Sequence, residues 1–433
     1  MSIVSKKSVG ILLPSEYSPL ERGYWNAAVP SLCVVPLQQH TGSRIEPLVV
    51  KGDLVREGMV IAESSRRLAI PLHAPIPGRV VDIGRVKLFD GTFSPALAIE
   101  LDGEFDRLGK RADPIPWEDD DRADLIERIR AAGVICSPRS SVPAHRYLGA
   151  RRALTEPIVV LDLSDIEPYM TAGLEVTVTS PVEVLTGLRI AARTAGTENM
   201  HVVIGSRARR RLRAFRKYAD EVGVRVHYVA DRYPGLTEQS VRSLVSRRVA
   251  RRDVDPDIFI ISPATAFSVH DAVVYGKPQI DQVIAVGGSA VRRPAHVRVR
   301  IGTSIADVLA ECGGLTAEPA RIIVGGPLTG QVVTNINAPV TKAVVAVIAM
   351  KGDEIRDERQ EPCIGCGACV RACPVDLDPR LLHRYIQAGR RDRAVTAGLL
   401  TCIECGLCSH VCPSRIPLVR EFRMEKLTRE NTA

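Results

Sequence analysis

Apolar runs and amphipathic stretches alternate through the middle of the chain. The runs "EPIVVLDL" (156–163), "MHVVIG" (200–205), "VRVHYVA" (224–230) and "DIFIIS" (257–262) have the length of buried strands and are rich in valine and isoleucine. Between them, apolar residues return at helical intervals. Alternation of this kind predicts a mostly parallel sheet with helices packed on it. An acidic linker, "PWEDDDRADLIERI" (116–129), leads into the region. From about residue 291 the pattern changes. "AHVRVRIGTSIADVLAECGG" (295–314) reads as strand, turn and one helix, while "ARIIVGGPLTGQVV" (320–333) and "KAVVAVIAM" (342–350) add short strands. One helix on a small mixed sheet is the β-grasp arrangement. In so strand-rich a setting the glycines of "VGGPLTG" read as turn formers rather than as a ligand cradle.

Earlier in the chain, residues 31–100 show short apolar strands broken by turns at "KGD", "REG" and "IPG". This order resembles a barrel-sandwich hybrid, the fold of lipoyl and biotinyl carrier domains. Carriers present a lysine on a hairpin tip for cofactor attachment. Here the matching place reads Glu63-Ser64-Ser65-Arg66, and a guanidinium cannot form the required amide. A small β domain used for docking is the expectation.

The tail carries the chemistry. "CIGCGACVRACP" (363–374) and "CIECGLCSHVCP" (402–413) hold eight of the 11 cysteines. Both have the spacing C-x2-C-x2-C-x3-C-P by which thiolates hold cubane iron–sulfur clusters. Structural zinc instead prefers separated Cys-x2-Cys pairs, and disulfide scaffolds are short secreted chains. Two [4Fe–4S] clusters are therefore expected. In paired runs of this type the fourth cysteine serves the other cluster. That assigns Cys363, Cys366, Cys369 and Cys412 to one cluster, and Cys402, Cys405, Cys408 and Cys373 to the other. Between the runs, Leu381, Leu382, Tyr385 and Ile386 repeat at helical intervals, and Gly389 can end the turn. Two short helices would fold one run back onto the other and bring the clusters within electron-transfer range. Cys33 and Cys312 sit among apolar neighbours and read as buried small hydrophobes.

At 433 residues the chain has room for about three domains or more. The opening "MSIVSKKSVGILLPSEYSPL" is interrupted by Pro14, Glu16 and Pro19 and does not read as a signal peptide. With clustered cysteines, this points to a reducing, cytoplasmic setting. No apolar run reaches the 18 or so residues of a membrane span. The net charge of +8 is carried largely by arginine, as in "SRARRRLRAFRK" (206–217) and "SRRVARRD" (246–253). No aromatic residues are interleaved in a nucleic-acid motif, so these runs read as solvated faces or a dock for an acidic protein or lipid headgroups.

The linear order of the parts is itself informative. "PLQQHTG" and "PLHAPIPG" are followed by "EPYMTA" (167–172), "VRIGTSIADVLAECGG", "GGPLTG", "PVTK" (339–342) and the double cysteine motif closing with "PSRIPLV". This resembles the RnfC component of the Rnf electron-transport complex and its relatives, which include the cobalamin reductase of propanediol-using microcompartments. The core also resembles the flavin-bearing subunit of respiratory complex I. The resemblance implies a multidomain α/β plus β chain. Residues 1–30 would form an N-terminal extension, 31–112 a barrel-sandwich hybrid and 117–290 a Rossmann-like α/β core. A β-grasp (SLBB-like) domain would span 291–352, and a helical ferredoxin-like module with two clusters 353–433. It further implies a cytoplasmic subunit, peripheral on the inner face of the membrane. Its partners would be other subunits of the complex and a ferredoxin-like or flavoprotein donor or acceptor.

In that family FMN and NADH bind the core over a loop of the form GGxGFPT, whose bare backbone amides cradle phosphate. Here the equivalent stretch is "AAGVICSPRSSVPAHRYL" (131–148). Gly133 remains, but the loop holds Cys136, Pro138, Arg139, Ser140 and Ser141. A second glycine-rich element after a "YP" pair has become "YPGLTEQS" (233–240). Of the flavin and nucleotide region the resemblance leaves Gly133, Arg139 and Glu167. Three readings follow. The chain relays single electrons through its clusters; or it holds FMN by Arg139 and the serines and oxidises NADH; or it is an adaptor whose clusters only stabilise the tail. No catalytic acid, base or nucleophile stands out.

Overall fold

A computed structural model describes residues 10–13, 23–41, 45–64, 69–105, 112–137, 141–150, 155–164, 167–236, 240–241, 244, 256–352 and 359–430. The four central runs are strands: Ile158–Leu163, Met200–Gly205, Arg225–Val229 and Ile258–Ile261. They form one parallel sheet in the order 225, 200, 158, 258. Ile158, Val159, Val160, Leu161 and Leu163 are each 0–1% exposed. A strand covered on both faces reads as a continuous apolar run, and each such side chain contributes about 1.5–3 kcal/mol on burial. Helices Pro181–Ala195 and Pro263–Tyr275 pack on the sheet; proline opens each, and a left-handed glycine, Gly196 or Gly276, closes it.

The mixed sheet is larger than the pattern from residue 291 implied. It runs Trp25–Asn26, Ala295–Arg300, Asp281–Gly287, Ala346–Met350, Arg321–Val324, Gln331–Val332. Asp281–Gly287 lies ahead of the boundary expected at 291, and Trp25–Asn26 comes from the stretch read as an extension. The reason is two-sided burial. Val283 and Ala285 face the core of the α/β unit, while Ile284 and Val286 face the core of the β-grasp unit with the helix Ile305–Glu311. Such a strand looks, in sequence, like one more strand of the parallel sheet.

Residues 32–101 form two small sheets around their own core, including Val35, Ile61, Leu72, Leu97 and Ile99. Cys33 and Cys312 are fully buried. Glu57 of this unit pairs with Arg300 of the mixed sheet at 2.6 Å. Nearby, Asp281 holds Arg298 at 2.9 Å and Lys277 at 2.8 Å. Among the described residues no helix is long and apolar enough to cross a membrane.

Candidate functional site

The tail folds as its periodicity requires. Helices Pro379–Gln387 and Arg391–Thr396 connect the two cysteine runs, the first capped by the Asp378 carboxylate on Leu381 N. Leu377, Leu382, Leu399, Ile416, Leu418 and Phe422 pack between the runs together with Cys373 and Cys408. The third cysteine of each run sits on a short helix, Ala368–Ala372 or Leu407–His410.

Thiols from both runs are brought together. Cys363, Cys366, Cys369 and Cys412 line one hollow, beside Arg380 and His383. Burial raises the Cys369 thiol, and Cys412 is among the neighbours whose charge adds to it. In the other group, burial pushes Cys405 up to about 11 and Cys408 up to about 12, with charge repulsion from Cys402 and Cys373 added. Burial also raises Cys402, again with Cys373 close by. Among the described residues no three ligand side chains meet closely enough to hold a single metal ion. The four thiols of the first group stand around a hollow, a disposition with room for a cubane cluster.

Polar groups frame the second run. Glu404 N donates to Cys402 Sγ at 3.4 Å, and Leu377 N donates to Cys373 Sγ at 3.3 Å. Hydrogen bonds to sulfur are one of the protein's means of setting cluster potential. Lys426 Nζ donates to Cys402 O at 2.6 Å and to the Glu404 carboxylate at 3.0 Å, which Arg423 also holds at 2.9 Å. Burial would raise the Glu404 carboxyl, but Arg423 and Lys426 outweigh it and hold it below its ordinary value. Tyr233 Oη donates to Cys405 O at 2.6 Å. Of these residues, the sequence singled out Tyr233 alone, as part of the "YP" pair and not for any tie to the cysteines. Arg423 and Lys426, three apart on the helix Leu418–Glu430, were the only pair with a local signal.

A cleft of about 840 Å³ opens beside this run. It lies where open α/β sheets bind ligands, outside the carboxyl ends of the strands. Ser164, after Ile158–Leu163, and Ser262, after Ile258–Ile261, line it at the point where the strand order reverses. Its other walls are Gly325, Thr329 and Gly330 of the β-grasp loop, and Cys402 to Cys405 with Arg423.

Of the two described residues among the three expected at a flavin or nucleotide site, Glu167 lines this cleft, and its carboxylate is engaged. It accepts from Leu328 N at 2.8 Å, Thr329 N at 3.0 Å and Thr329 Oγ1 at 2.8 Å. The loop "GGPLTG" is thus a clamp. A Cβ on Gly326 would fall 2.1 Å from the Glu167 carboxyl carbon, so any other residue there would push the carboxylate out of the clamp. On the far side, a Cβ on Gly406 of the second cysteine run would fall 2.5 Å from Leu328 O. Gly133 lies away from the cleft, where its carbonyl accepts from Lys342 Nζ at 2.6 Å. Lys342 is fully buried, and that burial lowers its ammonium to about 7. Arg139 lies outside the described residues.

Among the described residues, the rim at 135–137 has its backbone engaged elsewhere than toward a flavin phosphate. The backbone of Ile135–Cys136 pairs with Val142–Pro143. Ser137 N donates to Thr265 Oγ1 at 3.2 Å, and Ser137 O accepts from Ser262 Oγ and Thr265 Oγ1. Pro138 has no N–H to offer. The buried Ser137 hydroxyl is unpartnered, a free donor among the described residues of this loop, where a phosphate cradle uses several amides.

Comparison with known proteins agrees with this architecture. Residues 16–104 match the RnfC barrel sandwich hybrid domain, 129–271 the Nuo51 FMN-binding domain, 283–332 the SLBB domain and 362–416 the 4Fe-4S dicluster domain. The chain is 34% identical to the C component of the ion-translocating oxidoreductase complex of Rhodobacter capsulatus, over 92% of this chain and 78% of that protein. It is 29% identical to the C component of the proton-translocating ferredoxin:NAD(+) oxidoreductase complex of Clostridium ljungdahlii, over 82% and 79%. The Na(+)-translocating counterpart of Acetobacterium woodii is 28% identical, over 84% and 83%. An NAD+-reducing [NiFe]-hydrogenase structure aligns with 70% of this chain and 62% of its own at 16% identity and a TM-score of 0.48. With a dicluster module closing a barrel-sandwich, α/β and β-grasp assembly, the chain belongs to the RnfC family, the iron–sulfur electron-transfer subunits of Rnf-type complexes.

Proposed function

We propose that this chain passes single electrons between a one-electron carrier and a partner subunit through two clusters with crossed ligands, and without a flavin of its own. Cys363, Cys366, Cys369 and Cys412 would hold one cluster, and Cys402, Cys405, Cys408 and Cys373 the other. The observation that carries this reading is the exchange of neighbours: Cys412 stands with the first run's thiols and Cys373 with the second's. When bound, such clusters supply one-electron steps at fixed positions. The chain's own residues do the rest. Glu404 N and Leu377 N donate to sulfur, Tyr233 and Lys426 fix the backbone of the second run, and the Glu167 clamp sets that run against the core.

A hydride donor needs a two-electron cofactor before it can feed one-electron centres. The engaged amide of Ser137 and the proline after it support the view that NADH is not oxidised by this chain alone. One observation favours the second reading, an FMN-bearing NADH dehydrogenase subunit: the cleft itself persists beside the second run. The relatives' names place them in ion-translocating complexes. By analogy this chain would sit peripherally on the inner face of the membrane, held by other subunits, and salt would release it because exposed charge pairs are screened. The test of the relay reading is composition. The holoprotein should contain about eight iron and eight acid-labile sulfide per chain; stoichiometric zinc without sulfide would overturn it.

A further inference from the structure

The two cysteine runs are unequally covered. The second is the better covered, although Cys402 and Cys405 line the cleft: Leu328 lies against Gly406, Tyr233 and Lys426 cap the carbonyls of Cys405 and Cys402, and Cys408 is buried. The first is open. Cys363 and Cys366 are exposed, and between them Ile364 is 71% exposed, more than any other large apolar side chain among the described residues. A single surface isoleucine is ordinary. One that itself lines the hollow, between two exposed thiols, puts an apolar side chain at the open side of the first run.

Arginines lie within and beside that run. Arg371 donates to Cys366 O at 3.1 Å, and Arg380 lines the hollow beside Cys363 and Cys369. Arg384 follows Arg380 one turn later on the helix Pro379–Gln387, and the exposed Arg415 donates its amide to Cys412 O. Asp378 pairs with Arg380, and Glu361 and Asp376 are exposed along the same stretch, so the four arginines outnumber the three carboxylates by one. By contrast, much of the arginine run at 206–217 is held by its own surroundings. Arg211 turns inward to Glu175, Arg207 reaches Asp231 and Leu13 O, and Arg209 and Arg216 lie over Tyr228.

We propose that the face centred on Ile364 docks a small acidic one-electron protein, whose own centre is covered by an apolar spot ringed with carboxylates. The proposal rests on the relay reading and names the entry point for it. An apolar centre with a charged rim is the usual anatomy of an interface, and redox encounters need only a small one, under about 1,200 Å² in total. Opposite charge speeds encounter and makes it salt-sensitive. One electron leaves the partner's reduced centre and enters this chain at its first cysteine run; no bond is made and no proton moves.

The test uses the reconstituted holoprotein, with a plant-type [2Fe–2S] ferredoxin as the acidic probe and reduced methyl viologen as a small reductant that needs no docking face. Reduction rates with both are followed anaerobically for wild type, Ile364→Glu, Arg380→Glu/Arg384→Glu and Arg209→Glu/Arg213→Glu. Binding of oxidised ferredoxin is measured by calorimetry. The ratio of ferredoxin to viologen rates should fall by about tenfold or more at low salt in the first two variants, with weaker binding, and stay near wild type in the third. Equal ratios in all variants, or a fall confined to Arg209→Glu/Arg213→Glu, would overturn the docking face. Reduction of wild type by viologen but not by ferredoxin would also overturn it while leaving the relay intact. Failure of both reductants would remove the relay reading itself.

Discussion

Glu167 and Thr329, from different units of the fold, are joined twice: the carboxylate takes the threonine amide at 3.0 Å and its hydroxyl at 2.8 Å. With the Leu328 amide as a third donor, this ties the loop under the second cysteine run to the end of the parallel sheet. Arg423, from the last helix, adds a bond to Thr329 O at 3.2 Å. The loop is therefore the joint through which three parts of the chain hold the cleft and the cysteine run in register.

Glu167→Ala would leave two backbone donors without an acceptor, at a cost of about 1–3 kcal/mol, read as a lower unfolding midpoint. Glu167→Gln should keep most of that stability. Burial raises the Glu167 carboxyl above its ordinary value, against the lowering effect of its bonds from Thr329 and Leu328. A raised carboxyl contributes stability at low pH that is lost as pH climbs through the folded value. Wild type should therefore lose ground to Glu167→Gln as pH rises out of the ordinary carboxylate range. A constant difference between the two would contradict this.

Crossed ligation makes an asymmetric demand on mutants. Cys373→Ser should damage the cluster built on residues 402–408, and Cys412→Ser the one built on 363–369. Electron paramagnetic resonance of the reduced variants, assigned with single replacements at Cys405 and Cys366, distinguishes the two clusters. Damage confined to each residue's own run would refute the crossing.

Lys342 offers a test of the joint between the units. Its ammonium, buried with Nζ on Gly133 O, falls from 10.5 to about 7. Between those values the unfolded chain carries a proton that the folded chain lacks, so stability should rise with pH. The slope for one such group is up to about 1.4 kcal/mol per pH unit. Denaturant unfolding at several pH values should show this slope in wild type and its loss in Lys342→Met; matching slopes would mean that Lys342 keeps its proton when folded.

How much of this was legible depends on the range of the contact. The parallel strands and the cysteine spacing are local patterns, and the structure follows them. Asp281–Gly287 was not separable, because its alternate faces serve two cores. The glycines of "VGGPLTG" read as turn formers, yet the demand on Gly326 comes from Glu167, and the clamp spans 161 residues of sequence. Tyr233 reaches Cys405 across 172 residues, and nothing near either announces it. In the eroded glycine loop, the missing glycines were visible, but the diversion of Ser137 N to Thr265 was not.

The central claim, single-electron relay without flavin, is tested most directly by offering NADH to the reconstituted chain under anaerobic conditions and following the visible absorbance of its clusters, with dithionite as the positive control. Dithionite should bleach the clusters, NADH should not on the same timescale, and the acid extract should contain no flavin. Rapid bleaching by NADH, with FMN recovered at one per chain, would contradict it.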